Sequence, residues 1–268
     1  MEAPMEAWIL GVSLCGPGLD GWAASRPVLA GEQAYLARPV LLAAPAILPP
    51  NERRRTGAAV RLALHLAEAA SEMAGIATGD IPSVFATSNG DGVVMHAILE
   101  TLAAGAPISP TQFHNSVHNA GAGYWSIATG SRQPTSCLSG HDATAAAALL
   151  KAVAAVAVEQ QPVLLCAYEV PLAEPLASRH PTAGSFGAGL VLAPAAAERA
   201  LGRLAVSYHP DGIVSDAGAP RAAALRELAA GNPAARLLRL LESLAVGATD
   251  RFALSLLDGH VEITLHPC

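Results

Sequence analysis

Several short runs of consecutive apolar residues occur along the chain, each ending at glycine, proline or a small polar residue. Runs of this length with such boundaries predict buried strands. The first, residues 8–13, leads into Gly16-Pro17-Gly18, a sequence typical of a turn. The same pattern predicts strands over residues 81–87, 163–168 and 187–193. The less apolar segments 134–139 and 202–208 are also predicted to be strands.

Between these runs, apolar residues recur every three or four positions, which predicts helices. The stripe over residues 52–74 ends at Gly75, a typical helix stop, and consists of Val60, Leu64, Ala67, Ala70 and Met73. Residues 20–50 are rich in proline and alanine and are predicted to be irregular. Further helices are predicted over residues 93–104, 109–128, 142–158 and 220–247.

The end of the chain has the pattern of a hairpin. Asp258-Gly259 lies between apolar runs at residues 251–257 and 260–265, and this dipeptide between two such runs favours a tight hairpin turn. Strands that alternate with helices predict an α/β sandwich around a largely parallel sheet. No repeat or linker divides the sequence, so residues 1–268 are predicted to form one domain.

The composition favours a packed core and disfavours two classes of partner. Of the 268 residues, 52% are hydrophobic and 14% are charged, against about 25% charged residues in typical soluble domains. A net charge of -6 disfavours nucleic acid and anionic membrane surfaces. Lys151 interrupts the longest apolar stretch, residues 143–158, which is shorter than the roughly 20 residues of a spanning helix. No membrane span is therefore predicted.

The four cysteines, at positions 15, 137, 166 and 268, are far apart and form no metal-binding motif. They are predicted to be free thiols in a reducing cytoplasm. His114 and His118 would share one helix face, but no third ligand is near them, so hydrogen bonding or packing is favoured over a metal. No metal and no other cofactor are predicted.

Two further motifs have both a chemical and a structural interpretation. Gly90-Asp91-Gly92 lies between a predicted strand and a predicted helix, where backbone amides can hold a phosphate. A tight turn is favoured, because neither GxGxxG nor GK[ST] is present. Arg53-Arg54-Arg55 would suit an acidic partner, but a solvated helix start is favoured.

Cys137 has a histidine, His141, four residues further along the chain. A thiol near a glycine and a histidine is compatible with a nucleophile, which needs a base to lower the thiol pKa. Along a strand, residues 137 and 141 would share a face but lie too far apart to touch. A buried structural thiol is therefore the favoured interpretation.

A family resemblance is strongest in one polar run. It rests on Ser109-Pro110-Thr111-Gln112-Phe113-His114-Asn115-Ser116-Val117-His118-Asn119, followed by Gly123-Tyr124-Trp125-Ser126-Ile127. This run resembles the small ketosynthase-like chain-length factors of aryl polyene clusters. Gly130, Pro134, the alanine-rich helix and Gly187-Ala188-Gly189-Leu190-Val191-Leu192 are similar, in order, to the N-terminal half of β-ketoacyl synthases.

The resemblance covers about residues 8–204 and implies a thiolase-like fold, a layered α/β sandwich with a mixed, mainly parallel sheet. Residues 205–268 would complete that fold with a helix and the terminal hairpin. The implied pathway is elongation of carrier-bound fatty-acid or polyketide chains, of the aryl polyene type.

In ketosynthases the nucleophilic cysteine lies where a strand meets the long helix. A fit without gaps, anchored at Gly130, Pro134 and Val163, places Asp142 there and Cys137 five residues earlier. The family's two catalytic histidines come from the C-terminal half, and no counterpart is recognisable after Leu204. The resemblance thus implies no catalytic residues, and a carboxylate cap at the helix start accounts for Asp142.

By resemblance, the chain would pair with a full-length β-ketoacyl synthase as a heterodimer and limit where a growing acyl chain ends. The acyl carrier protein is a further implied partner. The strand at residues 134–139 would pair antiparallel across the dimer. The residues expected at the interface and acyl tunnel are Phe113, His114, Asn115, His118, Asn119, Tyr124, Trp125, Thr135, Ser136 and Cys137.

Two alternatives stay open from the sequence. The first is a small active acyltransferase or condensing enzyme that uses Cys137 as its nucleophile. The second is a freestanding homodimer that binds acyl chains without a synthase partner. A Cys137 thiol that is exposed and reacts fast at neutral pH would favour the first alternative over a non-catalytic subunit. Co-purification with a synthase would favour the subunit over the second alternative.

Overall fold

The computed structural model describes residues 3–212 and 218–268. Within this part of the chain, nine strands form one sheet in the order β4-β3-β5-β6-β1-β7-β9-β8, and the short β2 pairs with β1. The strands are β1 (Met5–Gly16), β2 (Leu19–Asp20), β3 (Ser83–Ala86), β4 (Thr135–Leu138), β5 (Val163–Glu169), β6 (Phe186–Ala193), β7 (Gly202–His209), β8 (Asp250–Leu256) and β9 (Gly259–Pro267).

The helices lie on both faces of this sheet. They are α1 (Trp22–Leu29), α2 (Pro50–Arg53), α3 (Ala58–Ala74), α4 (Gly92–Ala103), α5 (Pro110–Asn115), α6 (Ala120–Thr129), α7 (Thr144–Glu159), α8 (Leu176–Arg179), α9 (Ala223–Gly231) and α10 (Leu238–Val246). Short 3₁₀ turns at His141–Ala143 and Pro233–Leu237 lead into α7 and α10.

The sheet is mixed, as predicted. β3 pairs in parallel with β4 and β5, whereas the other described pairings are antiparallel. The parallel character predicted from alternating strands and helices is therefore confined to β4, β3 and β5. The antiparallel part arises because β6 returns beside β5 through a connection whose only described helix is the four-residue α8. In addition, β7, β9 and β8 extend the sheet beyond β1.

The helix α3 packs directly on β1, β5 and β6. Glycines allow this close approach, because a Cβ at Gly11 would overlap the carbonyl oxygen of Ala70. A Cβ at Gly189 would come within 2.9 Å of the carbonyl oxygen of Leu66. The Ser13 hydroxyl donates to the same oxygen at 2.7 Å, so β1 and α3 are joined by both packing and a buried hydrogen bond.

The opposite face of the sheet is covered by α7, with α1 and α10 beside it. Leu149, Val153 and Val156 of α7 are fully buried. By length and composition, His141–Glu159 is also apolar enough to cross a membrane. Nearly half of this segment is buried inside the protein, and a core helix accounts for its apolar character.

The predicted terminal hairpin is confirmed. β8 and β9 pair from Asp250 opposite Leu265 to Leu256 opposite Gly259. β9 pairs in turn with β7, which lies beside β1. Leu257 takes a positive φ of 54° in the connecting turn.

Three predicted helices are interrupted, and two described helices, α1 and the four-residue α8, are absent from the prediction. Gly57 separates α2 from α3 within residues 52–74, and residues 116–119 separate α5 from α6. In the tail, the Asn232 side chain accepts hydrogen bonds from the Ala234 and Ala235 amides and begins a new turn. Helix α1 lies within residues 20–50, which were predicted to be irregular, and has Pro27 inside it.

Candidate functional site

The junction between β4 and α7 is the position predicted to correspond to the nucleophile. A turn at Gly140 brings the chain into the 3₁₀ turn, and His141 takes a positive φ of 52°. The Thr144 hydroxyl accepts from the Gly140 amide at 3.0 Å and donates to the His141 carbonyl at 2.6 Å. The junction is thus held by Thr144.

Asp142 projects from this turn and is largely exposed, with Oδ2 3.7 Å from His141 Nδ1. The interpretation of Asp142 as a helix cap is wrong, because the N-cap of α7 is Ala143 and no side chain caps it. The Asp142 carboxylate is therefore available to whatever occupies the space in front of the junction.

That space is a cavity of about 1070 Å³. Gly140 to Ala143 form one wall, α9 and the following turn form a second, and Ala253 to Ser255 of β8 form a third. Four arginines line it: Arg221, Arg226, Arg236 and Arg239. This cluster has no signature in the sequence, because residues 221–239 meet residues 140–143 only through the tertiary fold.

Cys137 lies within β4, opposite Phe85 of β3. Its side chain packs against the core that contains Phe85 and Trp125, and burial raises the pKa of the Cys137 thiol. At neutral pH the thiol is therefore protonated, which is unfavourable for a nucleophile because the thiolate is the reactive form.

Three residues of the polar run are buried within the protein. Asn115, Tyr124 and Trp125 have relative exposures of 5%, 1% and 0%. The Tyr124 hydroxyl donates to Asn115 Oδ1 at 2.9 Å, and Asn115 Nδ2 donates to the Arg55 carbonyl at 2.7 Å. Together these bonds join α6, α5 and the segment after α2.

The two histidines of the run have different environments. His118 Nε2 lies 2.9 Å from the Thr87 carbonyl oxygen, and the His114 ring meets the Tyr124 ring edge-on with centroids 5.7 Å apart. Asn119 is exposed. No group of three potential metal ligands occurs among residues 3–212 and 218–268.

The glycine motif at residues 90–92 forms the start of α4. The Asp91 side chain accepts a hydrogen bond from the Val94 amide at 3.2 Å and is buried against Gly57. Because a carboxylate already occupies the helix N-terminus, the motif is a capped turn and has no free cradle for a phosphate.

The triple arginine is engaged mainly in local contacts. Arg53 donates to the carbonyls of Ala46 and Leu48, and Arg55 pairs with Glu52 at 3.1 Å. These contacts stabilise the short helix α2 and the loop before it.

β4 is an edge strand of the sheet. The Ser83 amide donates to the Pro134 carbonyl and the Thr87 amide donates to the Leu138 carbonyl. Since alternate residues of a strand direct their backbone groups to opposite sides, the amides of Thr135 and Cys137 face away from β3. Thr135 is exposed and Ser136 is half-buried.

Exposed apolar side chains occur on α4 and α5, which pack on each other. They are Val93, Met95, Leu99 and Leu102 of α4, Phe113 of α5, and Val117 just after α5; these six are called the apolar surface of α4 and α5. In α4 only Gly92 and Ile98 are buried. The loop from β3 to α4 touches the end of β4, where the Ser139 hydroxyl donates to the Ser88 carbonyl at 3.1 Å.

The family model of the β-ketoacyl synthase N-terminal domain matches residues 23–228. The chain belongs to this family. The match begins later than the predicted 8–204 and continues into α9. No curated protein matches the chain.

Solved structures with the same fold include complexes of two synthase-like chains. The ketosynthase ApeO in complex with its chain length factor ApeC, from Xenorhabdus doucetiae, matches with TM-score 0.72 and 18% identity over 96% of this chain and 98% of that chain. The ishigamide ketosynthase/chain length factor matches with TM-score 0.67 and 17% identity over 97% and 98%. A β-ketoacyl synthase from Burkholderia phymatum STM815 matches with TM-score 0.72 and 13% identity over 98% and 100%. At these identities the similarity establishes the thiolase-like fold.

Proposed function

We propose that this protein is a non-catalytic, chain-length-factor-like subunit that pairs with a full-length β-ketoacyl synthase. The complex would elongate acyl chains bound to an acyl carrier protein, of the aryl polyene type, in the cytoplasm. Residues 1–268 would act as one domain. Two observations carry the proposal: no described strand pairs with the outer edge of β4, and α4 and α5 carry exposed apolar side chains.

The edge strand supplies one half of the proposed contact. A free edge with unpaired amides is a template for pairing with a strand of another chain, and here the amides of Thr135 and Cys137 face outward. An antiparallel partner strand on this edge would continue the sheet from one subunit into the other.

The apolar surface supplies the other half. Exposed apolar side chains that lie together mark interaction sites, whereas scattered ones do not. Phe113 and Val117, in the run that resembles chain-length factors, are 64% and 44% exposed. They would contact the synthase directly, while the buried Asn115, Tyr124 and Trp125 would hold α5 and α6 in position.

The proposed mechanism is steric. The subunit would place α5 and α6 at the end of the partner's acyl tunnel and so limit the length of the product. Asp142 at the junction and the raised pKa of the Cys137 thiol favour this role over a condensing enzyme that uses Cys137.

The test of pairing uses two variants at one exposed position of β4. Thr135→Pro removes an outward amide hydrogen, whereas the matched control Thr135→Val keeps it. Each variant is co-expressed with a full-length synthase of the same organism, and the complex is measured by size-exclusion chromatography with light scattering. We expect the proline variant to lose most of the heterodimer and the valine variant to retain it.

The test of catalysis measures condensation of a carrier-bound starter with malonyl carrier protein. We expect Cys137→Ala to retain activity and omission of the subunit to abolish it. Loss of turnover in an intact Cys137→Ala complex would instead identify an enzyme. A chain that forms only homodimers when the synthase is present would identify a freestanding acyl-binding protein.

A further inference from the structure

The cavity in front of the β4–α7 junction has no role in the proposed pairing. It lies between the start of α7, the segment from α9 to α10, and β8. Its volume of about 1070 Å³ is slightly above the range of roughly 300–1,000 Å³ that is typical of small-molecule pockets.

The arginines of the cavity outnumber the carboxylates near them. Arg239 forms a two-pronged ion pair with Asp250, at 2.8 and 3.1 Å. Arg221 pairs with the same carboxylate at 2.9 Å. One negative charge is thus shared by two guanidinium groups, and Asp142 is the single acidic residue among the described lining residues.

The other two arginines have no acidic partner within residues 3–212 and 218–268. Arg226 donates to the backbone carbonyls of Pro220 and Arg221. Arg236 Nε is buried and has no hydrogen-bond acceptor among the described residues. A buried donor without an acceptor is unfavourable, so this nitrogen points to an acceptor that the described residues do not supply.

The rest of the lining is largely apolar. Ala146 of α7, Ala229 and Ala230 of α9, and Leu254 of β8 line the cavity beside the arginines. The start of α7 also faces the cavity through residues 140–143, and a helix N-terminus favours negative charge. An occupant should therefore combine an anionic head with an apolar stem.

We propose that this cavity binds a small molecule that carries a phosphate or carboxylate on an apolar stem. Arg226 and Arg236 would bind the anionic head, because a guanidinium offers paired donors to either group. Asp142 would repel the head and so direct it toward the arginine wall. The alanine side chains would contact the stem.

The test is isothermal titration calorimetry of the full chain in a buffer free of phosphate and carboxylate. The probes are octyl phosphate, octanoate and octan-1-ol, which share a stem length and differ in the head. We expect both anions to bind at least tenfold more tightly than the alcohol. The ratio of the dissociation constants of octyl phosphate and octanoate tells whether the cavity prefers a phosphate or a carboxylate head.

Variants then assign the binding to the arginines. Arg226→Gln and Arg236→Gln should each lower the affinity for the two anions at least tenfold and leave the affinity for octan-1-ol unchanged. Arg236→Lys should recover part of the lost anion affinity. Arg251→Gln is the matched control, because Arg251 lies on β8 outside the cavity and pairs with Glu262. Arg226 is exposed, so its variant should fold normally.

Two results would overturn the inference. One is equal affinity for octan-1-ol and the anions, and the other is unchanged anion affinity in a folded Arg226→Gln/Arg236→Gln double variant. None of these variants should affect co-purification with a synthase, so this inference and the proposed pairing can fail separately.

Discussion

The Tyr124 hydroxyl donates a hydrogen bond to Asn115 Oδ1 at 2.9 Å, and both residues are buried. Tyr124→Phe removes the donor and leaves a buried acceptor unsatisfied. We expect a loss of about 1–3 kcal/mol in the free energy of unfolding, measured by urea denaturation. Tyr208→Phe is the control, because Tyr208 on β7 is 44% exposed; an equal loss there would contradict the expectation.

The contact between β1 and α3 gives a second prediction about stability. Gly11→Ala would place a methyl group against the Ala70 carbonyl of α3, and overpacking of this kind costs about 1–3 kcal/mol. Gly123→Ala is the matched control, since no atom lies within 4 Å of a Cβ at this helical position. The control should be neutral or stabilising by up to about 1 kcal/mol. Thermal unfolding of both variants measures the difference.

Most strand positions could be predicted from the sequence, because apolar runs bounded by turn residues lie within them. The exception is the short β2, and β1 extends beyond the predicted residues 8–13. β5 is buried at every position, so its continuous apolar run was an adequate signal. Helix α1 gave no such signal, since Pro27 lies inside it. Its contacts are long-range, for example the hydrogen bond from Arg26 Nε to the Ala245 carbonyl of α10 at 3.4 Å.

The candidate site could be predicted only where it is contiguous in sequence. The fit without gaps placed Asp142 at the start of the long helix, and the structure places it one turn before α7. The burial of Asn115 and Tyr124 could not be predicted, because polar side chains are buried only when the tertiary fold supplies their partners. The contact between the rings of His141 and His180, with centroids 4.5 Å apart, likewise depends on a distant loop.

Glu169 at the end of β5 is a buried carboxylate whose Oε1 accepts a hydrogen bond from the Ser88 amide. Burial raises the pKa of Glu169, although hydrogen bonds from residues 87–89 oppose the shift. Because the folded-state pKa lies above the unfolded value of about 4.3, the unfolded chain releases this proton first. The contribution of Glu169 to stability is therefore full at acid pH and is lost as the pH rises through the raised pKa.

The prediction for Glu169 is a change in relative stability with pH. Glu169→Gln cannot ionise, so its stability relative to the wild type should increase between about pH 4 and pH 7. Urea unfolding at several pH values measures this difference. Glu72→Gln serves as the control, because it replaces a carboxylate that is exposed on α3. A decrease in relative stability with pH would contradict the assignment.

Asp250 should show the opposite dependence on pH. Burial alone would raise its pKa, but hydrogen bonds from Arg239 and Ser243 and the charges of Arg239 and Arg221 outweigh burial and lower the pKa. Its contribution to stability is thus present above the unfolded value of about 3.9 and is lost as the pH falls through the lowered pKa.

Asp250→Asn should therefore reduce the free energy of unfolding near neutral pH by about 2–3 kcal/mol, and the loss should shrink in acid. Glu262→Gln is the control, since its ion pair with Arg251 at 2.7 Å is exposed and such pairs contribute less than about 1 kcal/mol. Equal losses in the two variants would show that the buried Asp250 ion pair contributes no more to the free energy of unfolding than an exposed one.

The proposed interface predicts that a negative charge at Phe113 weakens the complex with the synthase, whereas a negative charge at Val158 does not. Phe113 on α5 and Val158 at the end of α7 are 64% and 76% exposed, so Phe113→Asp and Val158→Asp should both leave the isolated chain stable. Only Phe113 belongs to the proposed contact, where an unpaired charge would be desolvated. We expect Phe113→Asp to weaken the complex with the synthase at least tenfold, about 1.4 kcal/mol, by surface plasmon resonance. If Val158→Asp weakens it equally, the contact lies elsewhere on the molecule.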